Sequence, residues 1–225
     1  MVELPRLYSI VDAGFLRGFG VGLREFAEEL RAGGVGLVQW RDKMGSPQEV
    51  LRGAVVLRDV MRDGEGLTPR LAMRLPDMGH PVKLVMNDRA DLAVLAGFDG
   101  VHVGQGDLSP DDARRVIGDD RWVGVSTHNE EQVRAAELSC ADYVAVGPVF
   151  ATGTKMDTEP VIGLEGVKRA RALTTKPLVA IGGITRENAR SVIDAGADSV
   201  AVISGLMVAG ESVAKVVGDF LRILR

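Results

Sequence analysis

Eight short apolar runs alternate with helical stretches along this 225-residue chain, and strict alternation of that kind predicts a single-domain α/β protein with a parallel sheet. Eight such pairs predict a closed ring, the (β/α)8 or TIM barrel, at about 28 residues per pair and with little room for decoration. An internal echo supports closure. Ala96-Gly97-Phe98-Asp99-Gly100-Val101, Cys140-Ala141-Asp142-Tyr143-Val144 and Ala195-Gly196-Ala197-Asp198-Ser199-Val200 repeat a helix-end, turn, strand-start unit before the fourth, sixth and eighth runs, and Ala32-Gly33-Gly34-Val35-Gly36-Leu37 is a looser copy before the second. An open doubly wound sheet is the alternative, and it gives no reason for that recurrence.

The runs read as buried strands are Leu7–Val11, Leu37–Trp40, Leu84–Met86, Val101–Val103, Trp122–Val125, Tyr143–Val146, Leu178–Ile181 and Val200–Ile203; many of the chain's 28 glycines gather where these runs begin or end. Between them, Leu23, Phe26, Ala27 and Leu30 make one helical stripe, Val50, Ala54 and Leu57 a second, and Val213, Val216, Val217, Phe220 and Leu221 a third. Ser46-Pro47 and Ser109-Pro110 place a capping residue before a proline at the first helical position. Asn129 with Gln132, and Thr185 with Asn188, repeat the N-cap spacing, and Gln132 supplies the amide of a capping box. One segment, Arg62–Pro81, exceeds a minimal barrel. It falls between the second helix and third strand, on the face where barrel residues serve stability, and reads as an excursion with a short helix at Pro69–Leu75 rather than a second domain.

Composition excludes several functions. With 27 Lys+Arg against 31 Asp+Glu the net charge is −4, which leaves no electrostatic footprint for nucleic acid. Aromatics at 4% also leave no base-stacking platform. Cys140 is the single cysteine, so there is no internal disulfide, and no Cys/His cluster offers a zinc site. No apolar run approaches the ~20 residues of a membrane span, and Met1–Tyr8 carries Glu3, Pro5 and Arg6, unlike a signal peptide. The expectation is a soluble cytoplasmic protein that binds neither nucleic acid nor membrane. The oligomeric state stays open, a homo-oligomer included.

Barrel enzymes place their chemistry at the C-terminal ends of the strands, and polar residues gather there. After the second strand, alternate side chains Gln39, Arg41 and Lys43 can converge as a receptor for phosphate oxygens, or form a solvated turn. Asp88 and Asp107 follow neighbouring strands; as paired carboxylates they suit Mg2+, and alternatively they are helix caps or turn aspartates. Gly182-Gly183 and Ile203-Ser204-Gly205 match the phosphate site that barrels build after their seventh and eighth strands, or are tight turns only. His128 is either a base or a hydrogen-bonding residue, His102 reads as structural, and Trp40 and Trp122 read as packing.

Taken in order, Gln39–Lys43, Asn87-Asp88-Arg89-Ala90-Asp91, Gly100-Val101-His102-Val103-Gly104-Gln105, Gly147-Pro148-Val149-Phe150 with Thr152-Gly153-Thr154-Lys155, and Ile181-Gly182-Gly183-Ile184 resemble the thiamine-phosphate synthase family over nearly the whole chain. Arg62–Pro81 is longer than the family usually carries at that place. The resemblance implies a transferase of thiamine biosynthesis that joins 4-amino-2-methyl-5-hydroxymethylpyrimidine diphosphate to 4-methyl-5-(2-phosphoethyl)thiazole, or its carboxylated form, with loss of pyrophosphate through a carbocation-like substitution. It implies Mg2+ on Asp88 and Asp107. Gln39, Trp40, Arg41, Asp42, Lys43, Asn87, Ser126 and Lys155 would face the pyrimidine diphosphate, with Arg41, Lys43, Ser126 and Lys155 serving catalysis. Thr152, Gly153, Thr154, Gly183, Ile203 and Ser204 would hold the thiazole phosphate, and Ala151–Pro160 would form a lid. Two rivals remain: a thiazole tautomerase on the same barrel, using a His near His128, and a non-catalytic sensor of a phosphorylated ligand.

Overall fold

All eight apolar runs are strands: β1 (Leu7–Asp12), β2 (Leu37–Arg41), β3 (Lys83–Asn87), β4 (Gly100–Val103), β5 (Trp122–Thr127), β6 (Tyr143–Val146), β7 (Leu178–Ile181) and β8 (Ser199–Val202). They pair in chain order as a closed parallel barrel, with β8 against β1. The computed structural model describes residues 2–62, 82–153 and 160–225. Around the barrel lie α1 (Ala13–Phe19), α2 (Leu23–Ala32), α3 (Pro47–Arg62), α4 (Ala90–Ala96), α5 (Pro110–Ile117), α6 (Glu130–Leu138), α7 (Gly163–Leu173), α8 (Ala189–Asp194) and α9 (Val213–Ile223), with a 3-10 turn at Ser204–Leu206. Among the described residues no helix is long and apolar enough to cross a membrane. Of the expected excursion, Arg62 closes α3; residues 63–81, with the helix expected at Pro69–Leu75, lie outside the described residues.

The helix starts follow the capping logic, with local variations. Ser109 Oγ accepts from Asp112 N at 3.1 Å. Ser46 and Glu49 form a reciprocal pair, Ser46 N donating to Glu49 Oε2 at 2.8 Å while Glu49 N reaches Ser46 Oγ at 3.4 Å. Asn129 caps α6 through Gln132 N at 2.9 Å, but the Gln132 amide oxygen takes the N–H of His128, one residue before the cap. At Thr185 the roles reverse: Asn188 Oδ1 accepts from Thr185 N at 2.9 Å. One helix, α1, has no separate start signal in the sequence. Its N-cap is Asp12, the last residue of β1, whose Oδ1 accepts from Phe15 N at 2.8 Å, and Gly20 ends it at φ 66°.

Two apolar layers follow from the two-residue period of the strands. Tyr8, Ile10, Leu37, Val85, Tyr143, Ala145, Val179 and Ala201 point into the barrel. Leu7, Val11, Val38, Trp40, Leu84 and Met86 point outward and join the buried faces of the helices. The interior has little spare room. Gly124 on β5 is a glycine because a Cβ there would overlap the Tyr143 ring.

The repeated Asp before β4, β6 and β8 has a clear physical job. Asp99 Oδ2 accepts from Leu84 N at 2.8 Å, Asp142 Oδ2 from Val123 N at 2.7 Å, and Asp198 Oδ2 from Leu178 N at 2.8 Å. Each carboxylate thus ties the start of an even strand to the start of the odd strand before it. Each is also paired with an arginine of a preceding helix: Arg62 with Asp99 at 2.8 Å, Arg114 with Asp142 at 2.6 Å, and Arg171 with Asp198 at 2.8 Å. The looser copy before β2 has Val35 in place of the aspartate, and no such tie.

Two glycine substitutions separate packing from backbone effects. Gly124→Ala should destabilise the fold by about 1–3 kcal/mol, because the added methyl overpacks the interior. Gly218→Ala, in α9 with open space around it, should stabilise by about 0.5–1 kcal/mol through helix propensity. Denaturant midpoints of the two variants should move in opposite directions.

Candidate active site

The polar residues after the strands share one rim, and each is aimed by its strand. On β2 the alternation sends Gln39 and Arg41 inward and Trp40 outward. Gln39 is buried, its Nε2 donating to the Tyr8 hydroxyl at 2.8 Å. The Arg41 guanidinium pairs with Asp12 at the end of β1, so the carboxylate that caps α1 also holds this arginine on the rim. Lys43, half-exposed, extends across to β3, where its Nζ lies 2.5 Å from Asp88 Oδ2.

Two of the residues expected to meet substrate here face away from the rim. Trp40 is buried among the helices, its indole Nε1 donating to Val50 O at 2.9 Å, and Gly53 of α3 leaves room for its ring. Asp42 accepts both arms of Arg17, at 3.1 and 3.3 Å, together with the N–H groups of Met44 and Gly45. It fastens the loop after β2 to α1. A residue on either side of Arg41 turns outward for the same reason that Arg41 turns inward.

Asp88 stands at φ 61°, the left-handed region that few residues other than glycine adopt; aspartate is one that tolerates it. Its N–H donates to His102 O at 2.8 Å, so the turn after β3 is tied to β4. Asp107 Oδ2 accepts from Gly104 N at 2.9 Å, which bends the loop after β4 back to the same place. Burial raises the Asp88 carboxyl above the ordinary aspartate value; Lys43 opposes this, while the hydrogen bond and charge of Asp107 add to it. The two carboxyl groups therefore face each other. Among the described residues no cluster of three or more His, Cys, Asp or Glu side chains forms a cation site. A cation held by this pair would complete its shell with water or substrate oxygens, the habit of Mg2+.

Asn87 ends β3 in register with His102 of β4. Ser126 of β5 has its Oγ 2.8 Å from His102 Nε2, and its carbonyl accepts from Gln105 Nε2 at 2.7 Å. His128 donates from Nδ1 to Gly147 O at 2.7 Å, which fixes its ring against the loop after β6. That loop is stitched to β7: Val149 N donates to Ile181 O at 2.9 Å and Phe150 N to Gly182 O at 3.0 Å. Gly182 and Gly183, at φ 105° and 63°, lie so close to this segment that a Cβ on Gly183 would sit 2.6 Å from Ala151 O. Thr152 and Gly153 follow, and Ser204, after Ile203, opens the 3-10 turn. A Cβ on Gly205, after β8, would likewise sit 2.7 Å from Ile184 O, so the loops after β6, β7 and β8 form one packed edge of the rim. Thr154 and Lys155, and most of the expected lid, fall in residues 154–159 and lie outside the described residues.

The sequence reading missed what lies beneath the rim. Gln39, Tyr8, Tyr143, His102 and Ser126 are linked in a single buried hydrogen-bond chain. Two tyrosines at inward-facing positions, each needing a partner for a buried hydroxyl, were the available signal.

Cations, a facing carboxylate pair and glycine turns, all on the C-terminal rim, define a (β/α)8 barrel of the kind that receives small anionic ligands. The chain belongs to the thiamine monophosphate synthase (TMP-TENI) family, whose model matches residues 70–206. It is 52% identical to a thiamine-phosphate synthase of Koribacter versatilis over 99% of this chain and 97% of that one. It is 40% identical to the thiamine-phosphate synthase of Chloroflexus aurantiacus over 92% and 87% of the two chains. Among solved structures, thiamine phosphate pyrophosphorylase from Pyrococcus furiosus superposes with a TM-score of 0.79 at 29% identity, covering 97% of this chain and 95% of that one.

The outward placement of Trp40 has a measurable consequence. Trp40→Phe removes one buried donor and should cost about 1 kcal/mol of stability, read as a lower denaturant midpoint. Substrate Michaelis constants should stay within about twofold, since a loss near 1 kcal/mol in the helix layer touches nothing on the rim.

Proposed function

We propose that the chain joins an aminopyrimidine methyl diphosphate to a thiazole phosphate, releasing pyrophosphate and forming thiamine phosphate. The observation that carries this reading is Lys43 set against the Asp88–Asp107 pair, with Arg41 held by Asp12 at the end of β2, in a chain 52% identical to a named thiamine-phosphate synthase across 99% of its length. The site has the same logic. In the reaction the bond between the pyrimidine methylene carbon and the diphosphate oxygen breaks, and the electron pair leaves on pyrophosphate. The thiazole nitrogen lone pair then forms the new C–N bond. No proton moves in these steps, so the chain needs charge and position more than a base.

Arg41 and Lys43 would take up the charge developing on the leaving diphosphate, and Gln39, Asn87 and Ser126 would hold and orient the pyrimidine diphosphate. Lys155 joins this group by the family resemblance. Trp40 and Asp42 support the site indirectly, Asp42 through the loop it fastens to α1 and Trp40 through the helix layer behind β2. Thr152, Gly153, Thr154, Gly183, Ile203 and Ser204 make the thiazole-phosphate side. Asp88 and Asp107 suit Mg2+, which when bound would supply Lewis-acid neutralisation of the diphosphate. The reading places the protein in the cytoplasm with diffusible phosphorylated substrates. The rim's cations and carboxylate pair argue against a tautomerase, which has no diphosphate to neutralise; the Nδ1 bond of His128 to Gly147 O only fixes its ring.

Mixing the two substrates with the protein and Mg2+ should yield thiamine phosphate and pyrophosphate in equal amounts; failure to form either with all components present overturns the reading. Chelation should abolish turnover and added Mg2+ restore it. Asp88→Asn should lower the rate on the order of 10²-fold, through loss of a metal ligand worth several kcal/mol, while thermal unfolding stays near wild type because asparagine also tolerates φ near 60°.

On the thiazole side, Gly183 is a poor probe, since any side chain there strikes Ala151. Ser204→Ala is cleaner. It should raise the Michaelis constant for the thiazole phosphate roughly 10- to 100-fold, the worth of one hydrogen bond to a charged group. The constant for the pyrimidine diphosphate should change little.

A further inference from the structure

The barrel interior contains a continuous hydrogen-bond chain between two rim residues on different strands. Gln39 Nε2 donates to Tyr8 OH at 2.8 Å, Tyr8 OH lies 3.0 Å from Tyr143 OH, Tyr143 OH lies 3.1 Å from His102 Nδ1, and His102 Nε2 lies 2.8 Å from Ser126 Oγ. The five residues come from β2, β1, β6, β4 and β5. The two tyrosines meet edge to face and His102 stacks at a tilt on Tyr143, while Gly124 keeps the space that the Tyr143 ring occupies. No apolar core requires such a chain. Leucine or phenylalanine at these positions would fill the barrel without the cost of satisfying buried hydroxyls.

A chain of this kind has a direction. A phenol carries one hydrogen, so a tyrosine that accepts from one neighbour must donate to the next. Burial holds both phenols well above the ordinary tyrosine value, so each keeps its hydrogen. Beginning from the Gln39 amide N–H, Tyr8 donates to Tyr143 and Tyr143 donates to His102 Nδ1. His102 then carries its proton on Nε2 and donates to Ser126 Oγ, which leaves the serine hydrogen to point elsewhere. The Gln39 amide, having spent an N–H on Tyr8, has its oxygen available as an acceptor. Reversing one link reverses all of them, and the ends exchange roles: Gln39 then offers only donors, and Ser126 only a lone pair.

We propose that Tyr8, Tyr143 and His102 are positioning residues that lock the chain in the first direction, so that Gln39 presents an acceptor and Ser126 a donor to the same substrate. A ring bearing an amino group, with an anionic oxygen nearby, needs that combination; an oxo ring needs the reverse. The role of the two end residues rests on the function proposed above, whereas the direction of the chain does not. Its inner members touch each other and the ends, and act on substrate only through Gln39 and Ser126.

Two measurements test this in the 225-residue chain. Nitrogen NMR of His102 in the substrate-free protein should show the neutral ring protonated on Nε2; protonation on Nδ1, or a mixture of the two tautomers, overturns the proposal even if the enzyme makes thiamine phosphate. The second is a double-mutant cycle on kcat/KM with Tyr143→Phe and Ser126→Ala. Tyr143→Phe alone should lower kcat/KM for the pyrimidine diphosphate roughly tenfold, about the worth of one hydrogen bond, and should cost little more once Ser126 is already alanine. Multiplying effects would mean that Tyr143 merely packs the barrel, and would sink the positioning role. If Tyr143→Phe does not fold, Tyr8→Phe serves in the same cycle against Gln39→Met, with the same two readings. A wild-type protein that forms no thiamine phosphate, yet shows Nε2 protonation, would remove the proposed function and leave the direction of the chain standing.

Discussion

Closing eight parallel strands into a ring leaves an interior that side chains must fill, one inward position from alternate residues of every strand. In this protein the constraint is met partly with polar groups. Tyr8, Tyr143, His102 and Gln39 occupy space that aliphatic residues usually take, and they satisfy one another's hydrogen bonds. The rim inherits its order from that filling. Gln39 and Ser126 are aimed from below by the buried chain, and Arg41 is held from the side by Asp12, which also starts the first helix. The charged groups above therefore stand on a packed base, the condition for an electrostatic site that works without reorganising.

The same two-residue period sorts function from support along a single strand. Gln39 and Arg41 face the interior and rim, while Trp40 is a helix-layer residue. Asp42, just past the strand, binds Arg17 of α1. Around the ring, Asp88 departs from ordinary backbone geometry at the point where a carboxylate must be turned toward Asp107. Such a departure is affordable because its N–H is anchored to β4.

Sequence patterns carried the architecture well, because strand cores are apolar runs and barrel turns are rich in glycine. Strand ends moved by one or two residues, where polar residues such as Asn87 and Thr127 continue the ladder without adding to the apolar run. The helix α1 was illegible since its cap is also the last residue of β1. Converging rim residues could be named from strand order alone, but the aim of Trp40 and Asp42 needed the register. The buried chain was hidden for another reason: Tyr8 and Tyr143 are 135 positions apart, and only closure of the ring brings them together. The repeated aspartates were visible as a pattern, and their purpose appeared only with their backbone partners.

Those aspartates divide the barrel into modules of two strands, each with its own carboxylate latch and arginine bolt: β3 with β4, β5 with β6, β7 with β8. All three latches lie at the bottom of the barrel, and each module enters and leaves by a loop at the top. The joints between modules are therefore the loops after β2, β4 and β6, the loops that carry Lys43, Asp107 and Thr152. Inheritance can splice, lengthen or rewrite such joints without opening a latch. A lineage built this way can try new ligands on its rim while the machinery that keeps its strands in register passes unchanged from one version to the next.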